Sequence, residues 1–266
     1  MRIAFLQTLP VFGKIKENVE RVVDKIYSTD THLLVLPELF NTGYQFKSKK
    51  EVSLLAEEVP SGWTSQRLMQ IARDKKIFVV AGITEKQGGK LYNSSILIGP
   101  RGLIGRYRKA HLFWNEKRFF TAGNTPFEVY NIGLARVGMM ICFDWLFPEA
   151  ARALALKGAD IICHPSNLVL PHCPQAMITR CLENRVFAIT ANRIGVEQRV
   201  KGQKLKFIGQ SQIVAPDGKI LYRASINKEE IGIIEIDPKL ARNKNITPLN
   251  NIFKDRRKKF YKPIID

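Results

Sequence analysis

Three stretches at the start of the chain constrain its fold more than any other feature. "RIAFLQT" (2 to 8) is an apolar run of strand length, and "KIKENVERVVDKIY" (14 to 27) sets Ile15, Val19, Val22, Val23 and Ile26 on one helical stripe. "HLLVLPELF" (32 to 40) is a second apolar run, ended by Pro37. A strand, a crossover helix and a strand within about forty residues form a right-handed βαβ unit, so the two strands are expected to be parallel neighbours. Runs this continuously apolar are buried on both faces of a sheet. The chain opens as an α/β protein.

The same alternation continues. A helix is expected over 63 to 75 and a strand over 77 to 84. "KLYNSSILIGPRGLIGRYRK" (90 to 109) follows, two strands joined by a turn at Gly99 to Gly102. A hairpin of like design recurs at 211 to 224, turning at Pro216, Asp217 and Gly218, which predicts two similar halves. Between the hairpins lie a strand at 134 to 142, a helix after Phe147, a strand at 159 to 165, a helix near 174 to 184 and a strand at 185 to 191. Two sheets packed face to face with helices outside would bury every apolar run, which predicts a four-layer α-β-β-α sandwich. With 266 residues, 45% of them hydrophobic, and no Gly/Ser/Pro-rich linker, the chain reads as a single domain over 1 to 266, with about 245 to 266 a C-terminal tail.

Composition excludes several function classes. Neither the opening "MRIAFLQTLPVFG" nor any later run has the length of a signal-peptide core or a membrane span, so a soluble, cytoplasmic protein is expected, with no membrane partner. Cys142, Cys163, Cys173 and Cys181 all lie in mid-chain, unlike the dense pattern of a secreted disulfide scaffold, and reduced thiols are expected. His164 and His172 flank two of them, but no CxxC or HxxxH spacing gathers ligands on one loop, so no metal is expected. The net charge of +18 raises nucleic-acid binding as a non-enzymatic alternative. Apart from "KDRRKK" (254 to 259) the basic residues are dispersed, without an RNA-binding or helix-turn-helix signature. No nucleic-acid partner is therefore expected; the charge reads as a solvated surface with a preference for anionic small molecules.

Chemistry concentrates at strand ends. In "GMMICFDWLFPEAARALALKG" (138 to 158), Cys142 sits where an apolar strand gives way to a helix. A helix N-terminus there would stabilise a thiolate, and the Phe143 N–H would be free as an oxyanion donor. The other reading of Cys142 alone is an inert buried thiol. Glu38 in "LPELF" follows another strand; among Leu36, Pro37, Leu39 and Phe40 it reads as a desolvated base, and otherwise as a solvated loop residue. In "YRKAHLFWNEKRFF" (107 to 120), Lys109 ends a strand before an aromatic loop with Glu116. Lys109 is either a cation for a developing oxyanion or a surface lysine.

Glu38 in "LPELFNTGY", Lys109 in "YRKAHLF" and Cys142 in "MICFDWLFPE" resemble, in order and context, the Glu-Lys-Cys triad of the nitrilase or carbon-nitrogen hydrolase superfamily. "HPSN" (164 to 167) and "CLENRVF" (181 to 187) also resemble family segments, the thermophilic-type nitrilases and ω-amidases in particular. The resemblance implies a thiol hydrolase that cleaves non-peptide carbon-nitrogen bonds through a Cys142 thioester, with Glu38 as base, Lys109 and the Phe143 N–H on the oxyanion, and Glu116 as a supporting carboxylate. It implies no cofactor, and a homodimer or larger homo-oligomer paired through outer helices. The tail "NNIFKDRRKKFYKPIID", with Ile252, Phe253, Phe260 and Tyr261, is expected to lie across the partner. Phe143 and Asp144 depart from the Trp-Glu that usually follows the cysteine in plant and bacterial nitrilases, which leans toward amidase-like branches.

Tyr44, Phe113, Trp114, Trp145 and Phe147 lie near these residues in sequence and are expected to wall a narrow, dry pocket or, for about half of them, to pack elsewhere. Asn167 is placed to hydrogen-bond a polar far end of the substrate. The expected substrate is a small aliphatic nitrile or amide, the alternative an N-carbamoyl amine. A Cys-His hydrolase pairing Cys142 with His111, His164 or His172 is the rival mechanism.

Overall fold

Residues 1–264 are described by a computed structural model. Alternation within the strands decides which layer each side chain enters. In β1 (Arg2–Gln7), Ile3 and Phe5 join the core between two sheets, while Ala4 and Leu6 join the cluster under helices α1 (Ile15–Tyr27) and α3 (Trp63–Lys75). The same division holds in β2 (Leu33–Val35), where Leu33 and Val35 point inward and Leu34 outward. Between α1 and α3 lies the short α2 (Lys49–Leu55).

The first sheet runs β14-β1-β2-β3-β4-β5, with β3 (Phe78–Gln87), β4 (Lys90–Gly99), β5 (Gly102–Arg108) and β14 (Glu230–Glu235). The second runs β13-β12-β9-β8-β7-β6: β6 (Val129–Asn131), β7 (Arg136–Met139), β8 (Ile161–Pro165), β9 (Phe187–Ala191), β12 (Gln212–Val214) and β13 (Ile220–Arg223). Both share one plan. Three parallel strands, β1-β2-β3 or β7-β8-β9, are extended on one side by an antiparallel hairpin and on the other by one antiparallel strand. Helices α5 (Pro148–Leu156) and α6 (Cys173–Asn184) cover the second sheet as α1 and α3 cover the first, and contribute Ala151, Leu154, Cys173 and Met177 to the main core. The four-layer α-β-β-α sandwich and its two similar halves follow from this arrangement.

Several boundaries depart from the pattern read in the sequence. The strand expected to run through residue 40 stops at Val35, because Pro37 lacks an N–H for the ladder. The strand expected to reach Cys142 stops at Met139, and Cys142–Leu146 form a five-residue 3₁₀ turn before α5. Among the strands, the edge strands β6 and β14 were not anticipated, nor was the hairpin β10 (Ile194–Val200) with β11 (Gln203–Ile208), which stands apart from both sheets. Half-buried and alternating, these lack the apolar continuity of the central strands.

Within the tail, Phe253 reaches the body of the domain. That ring packs partly buried against the main core, with Arg152 and Lys244 at 5.5 and 4.9 Å from its centroid. Phe260 remains 64% exposed. The last two residues of the tail lie outside the described residues.

One close backbone approach fixes the loop after β2 against β3. A Cβ on Gly82 would lie 2.4 Å from Glu38 Cα and 2.8 Å from the Pro37 carbonyl oxygen. Gly82→Ala is therefore expected to push the Glu38 loop off β3 and to destabilise the protein by about 1–3 kcal/mol, measured by urea unfolding. A loss below about 0.5 kcal/mol would show that the loop yields freely.

Candidate active site

Loops leaving the carboxyl ends of strands in both sheets converge on one point. Glu38 stands just beyond β2, Lys109 directly after β5, Cys142 beyond β7 and Asn167 beyond β8. The chain bends sharply at two of them: Leu39 has φ +47° and Cys142 φ +39°. Side chains other than glycine rarely adopt this left-handed region, and such strain persists where surrounding structure enforces it.

Lys109 Nζ donates to Glu38 Oε1 at 2.7 Å and to Glu116 Oε1 at 2.8 Å. Glu116 opens the single-turn α4 (Glu116–Phe119). Asn93 Nδ2 on β4 donates to Glu38 Oε1 at 2.6 Å, and the Tyr44 hydroxyl donates to Glu116 Oε1 at 2.6 Å. The Phe113 N–H donates to Glu116 Oε2 at 3.1 Å. All of this is out of water: Glu38 is 0%, Lys109 1% and Cys142 6% exposed.

Burial sets the proton affinities. Desolvation raises the Glu38 carboxyl to about 6, with the Glu116 charge adding to the rise and Lys109 opposing it. Desolvation pulls the Lys109 ammonium the other way, but the carboxylates of Glu116 and Glu38 outweigh it and hold the group charged. Burial first, then the Glu38 charge, push the Cys142 thiol well above its ordinary range, against the pull of Lys109 and a hydrogen bond from the Asn167 backbone N–H. The expectation of a thiolate stabilised by a helix N-terminus is thus corrected. Cys142 opens only a short 3₁₀ turn, α5 starts later at Pro148, and the resting thiol is neutral.

Three side-chain atoms around the thiol are buried without a hydrogen-bond partner among the described residues: Glu38 Oε2 and the Oδ1 and Nδ2 of Asn167. Phe143 is half-buried, its ring 5.0 Å from Phe113 and 5.7 Å from Phe147. Beside these rings opens a cavity of about 430 Å³ lined by Ala110, His111, Phe120, Phe143 and Phe147. Tyr44, Trp114 and Glu116 border a much smaller one of about 20 Å³. Trp114 is 52% exposed. Trp145 is buried in the main core cluster, which also holds Cys142, and its backbone carbonyl accepts from Arg180 Nε on α6 at 3.2 Å.

The histidines do not serve the thiol. His164 Nε2 lies 2.9 Å from the Cys142 carbonyl oxygen, and desolvation lowers its pKa to about 4, so the ring is neutral. His111 pairs with Asp144 at 2.7 Å, and His172 is exposed at the start of α6. No cluster of metal-ligating side chains occurs among the described residues. Asn93 was not singled out from the sequence; His164 was read there only as a rival base and Asp144 only as a departure from the Trp-Glu pattern. A usable signal was "YNSS" (92 to 95), whose polar side chains are buried in the middle of an apolar strand, where each needs a specific partner.

This fold and these convergent loops are those of carbon-nitrogen hydrolases. The carbon-nitrogen hydrolase family model matches residues 2–245, and the chain belongs to that family. Among its relatives, a nitrilase of Pyrococcus abyssi is 48% identical, covering 98% of this chain and 99% of its own length. An (R)-stereoselective amidase of a Pseudomonas species is 34% identical over 89% of this chain and 85% of its own. The crystal structure of a carbon-nitrogen hydrolase from Helicobacter pylori superposes with a TM-score of 0.90 at 27% identity, covering 100% of this chain and 98% of that one. The chain is thus a carbon-nitrogen hydrolase, an enzyme acting on small molecules. No helix among the described residues is long and apolar enough to cross a membrane.

Cys163, Cys173 and Cys181 are sealed at 0% exposure. Iodoacetamide is expected to modify Cys142 first, at a rate that climbs through pH 7 to 9 because the raised thiol pKa leaves little thiolate at neutrality. Peptide mapping by mass spectrometry checks both points; prior labelling of another cysteine, or a rate flat with pH, would contradict them.

Proposed function

We propose that Cys142, Glu38 and Lys109 hydrolyse a small aliphatic nitrile or amide to its carboxylic acid and ammonia. The observation that supports this best is the Lys109 ammonium locked between two buried carboxylates beside a neutral thiol. Glu38, poised near neutrality, takes the thiol proton as Sγ attacks the amide carbonyl carbon. Negative charge on the carbonyl oxygen is met by Lys109 Nζ and the Phe143 N–H. The carbon-nitrogen bond then breaks, Glu38 returns the proton to the departing ammonia, and the acyl group stays on sulfur. Glu38 next deprotonates a water that attacks the thioester, and the proton goes back to the Cys142 sulfur as the acid leaves. A nitrile enters by forming a thioimidate, and addition of water brings it to the same tetrahedral intermediate.

Glu116 takes no proton in this scheme; it orients Lys109 and is itself held by Tyr44. The buried triad with the Phe113 and Phe143 rings nearby supports an apolar aliphatic chain, and the unpartnered Asn167 amide supports a polar group at its far end. An N-carbamoyl amine could follow the same steps, and relatives bearing both nitrilase and amidase names leave the choice to assay. We further propose a homodimer through the outer face of α5 and α6, where Leu156 and Leu182 are exposed beside Leu146 of the 3₁₀ turn. Light scattering that shows only monomer at micromolar concentration would refute it.

Ammonia release from a panel of short mono- and dinitriles, ω-amides and carbamoyl amines tests the reading, with Cys142→Ala as blank. Glu38→Gln and Lys109→Ala are each expected to lower kcat by at least about 10²-fold while leaving the fold intact. Cleavage of peptides alone, with every short aliphatic compound untouched, would overturn it. The wild-type kcat/KM is expected to rise with pH up to about 6 and then level, since Glu38 must lose its proton to act as base and its carboxyl sits near that value. A profile that stays level from neutral pH down to about 4 would remove Glu38 from that role.

A further inference from the structure

Asp144 was legible in the sequence only as a departure from the Trp-Glu pattern, yet each hydrogen bond of its carboxylate goes to a neighbour of a reacting group. Oδ2 accepts from the backbone N–H of Ile141 at 2.8 Å, the residue before the nucleophile, and from the Tyr107 hydroxyl at 2.8 Å. Oδ1 accepts from the His111 backbone N–H at 3.2 Å and pairs with His111 Nδ1 at 2.7 Å. Tyr107 and His111 stand on either side of Lys109. The Tyr107 oxygen in turn accepts from the Ala110 N–H at 3.1 Å, so the segment bearing the lysine is gripped along its length. The Asp144 side chain is completely buried.

Lys109 and Cys142 come from different sheets. What joins those sheets is mainly apolar contact, which is non-directional and tolerates small slippage. Stabilising a charge as it forms requires donors held in near-final geometry, and a displacement of about 1 Å can cost on the order of 10²-fold in rate. A buried carboxylate with four donors, three of them on the residues flanking the lysine and one just before the nucleophile, supplies the direction that apolar packing lacks. The Asp144 N–H also donates to the Ile141 carbonyl at 3.0 Å, closing the turn that presents the thiol.

We infer that Asp144 is a positioning residue that locks the Lys109 segment of the first sheet to the Cys142 turn of the second and so sets the spacing between ammonium and sulfur. This rests on the catalytic reading of Lys109 and Cys142 given above. The inference separates two effects that a plain structural role would merge. Alkylation of Cys142 needs the turn and the thiolate, but no aligned oxyanion donor; turnover needs all three.

Two variants test it. Tyr107→Phe cuts one link on the lysine side and leaves the turn capped, and Asp144→Asn replaces an accepting oxygen with a donor. Expected are kcat losses of roughly 10-fold and 10²-fold respectively, with KM changed less than about twofold and Cys142 alkylation by iodoacetamide retained within about threefold. Wild-type kcat in folded Tyr107→Phe and Asp144→Asn would overturn the inference, as would kcat and alkylation falling together, the mark of a collapsed turn. Should Asp144→Asn not fold, Tyr107→Phe decides alone. Absence of turnover in the wild-type protein itself overturns the catalytic reading and this inference with it, whereas equal turnover in wild type and variants overturns only the inference.

Discussion

One buried cation between two buried carboxylates is the constraint on which the rest of this site depends. Removing charges from water is expensive, and the expense is tolerable only where each charge finds close, directed partners. Lys109 satisfies two carboxylates, but one positive charge cannot neutralise both. The surplus falls on Glu38, whose carboxyl is raised to about 6 by burial and by Glu116. The same surplus, with burial, keeps the nearby thiol protonated. A base near neutrality next to a neutral nucleophile is the division of labour that acyl transfer to sulfur requires, and it arises from charge count and burial together.

Holding that arrangement takes a second layer of polar contacts. Asn93 fixes one oxygen of Glu38, and Tyr44 fixes one of Glu116. Tyr44 is itself steadied from the β10–β11 hairpin, because Glu197 accepts from the Tyr44 backbone N–H at 3.2 Å and pairs with Arg193. Arg193 is 1% exposed and lies with its guanidinium 4.0 Å over the Phe207 ring. The hairpin outside both sheets therefore braces the tyrosine that braces Glu116. Asp144 performs the corresponding task for Lys109 and Cys142.

Backbone strain collects at the same places. Leu39 follows Glu38, Cys142 carries the buried thiol, and Trp114 with φ +46° precedes Glu116 by two positions. Each bend turns a side chain off the end of its strand or loop toward the common centre, and each is enforced by packing from β3, the Asp144 cap or the aromatic loop. Gly82 admits the Glu38 bend by having no Cβ.

The sequence by itself determined the layers. Apolar runs of strand length, separated by amphipathic helices and two similar hairpins, can bury their surface only between helical layers, so the α-β-β-α sandwich was legible from periodicity. Glu38, Lys109 and Cys142 stood out as polar groups at the ends of apolar strands, each open to a plain structural reading by itself; it was the resemblance of their order and context to the carbon-nitrogen hydrolases that joined them and added Glu116. Edge strands β6 and β14 and the β10–β11 hairpin were not, since half-buried strands lack the continuous apolar signal. Asn93 escaped notice, and so did the partners of His164 and Asp144, because these contacts span long sequence separations, which no local pattern encodes. Tertiary structure alone decided that Trp145 joins the main core, that Phe253 of the tail packs against that core, and that burial and the Glu38 charge raise the Cys142 thiol. Each of those outcomes depends on which groups surround a residue in space, and a proton affinity or a buried ring is set by that surrounding field and packing rather than by its neighbours along the chain.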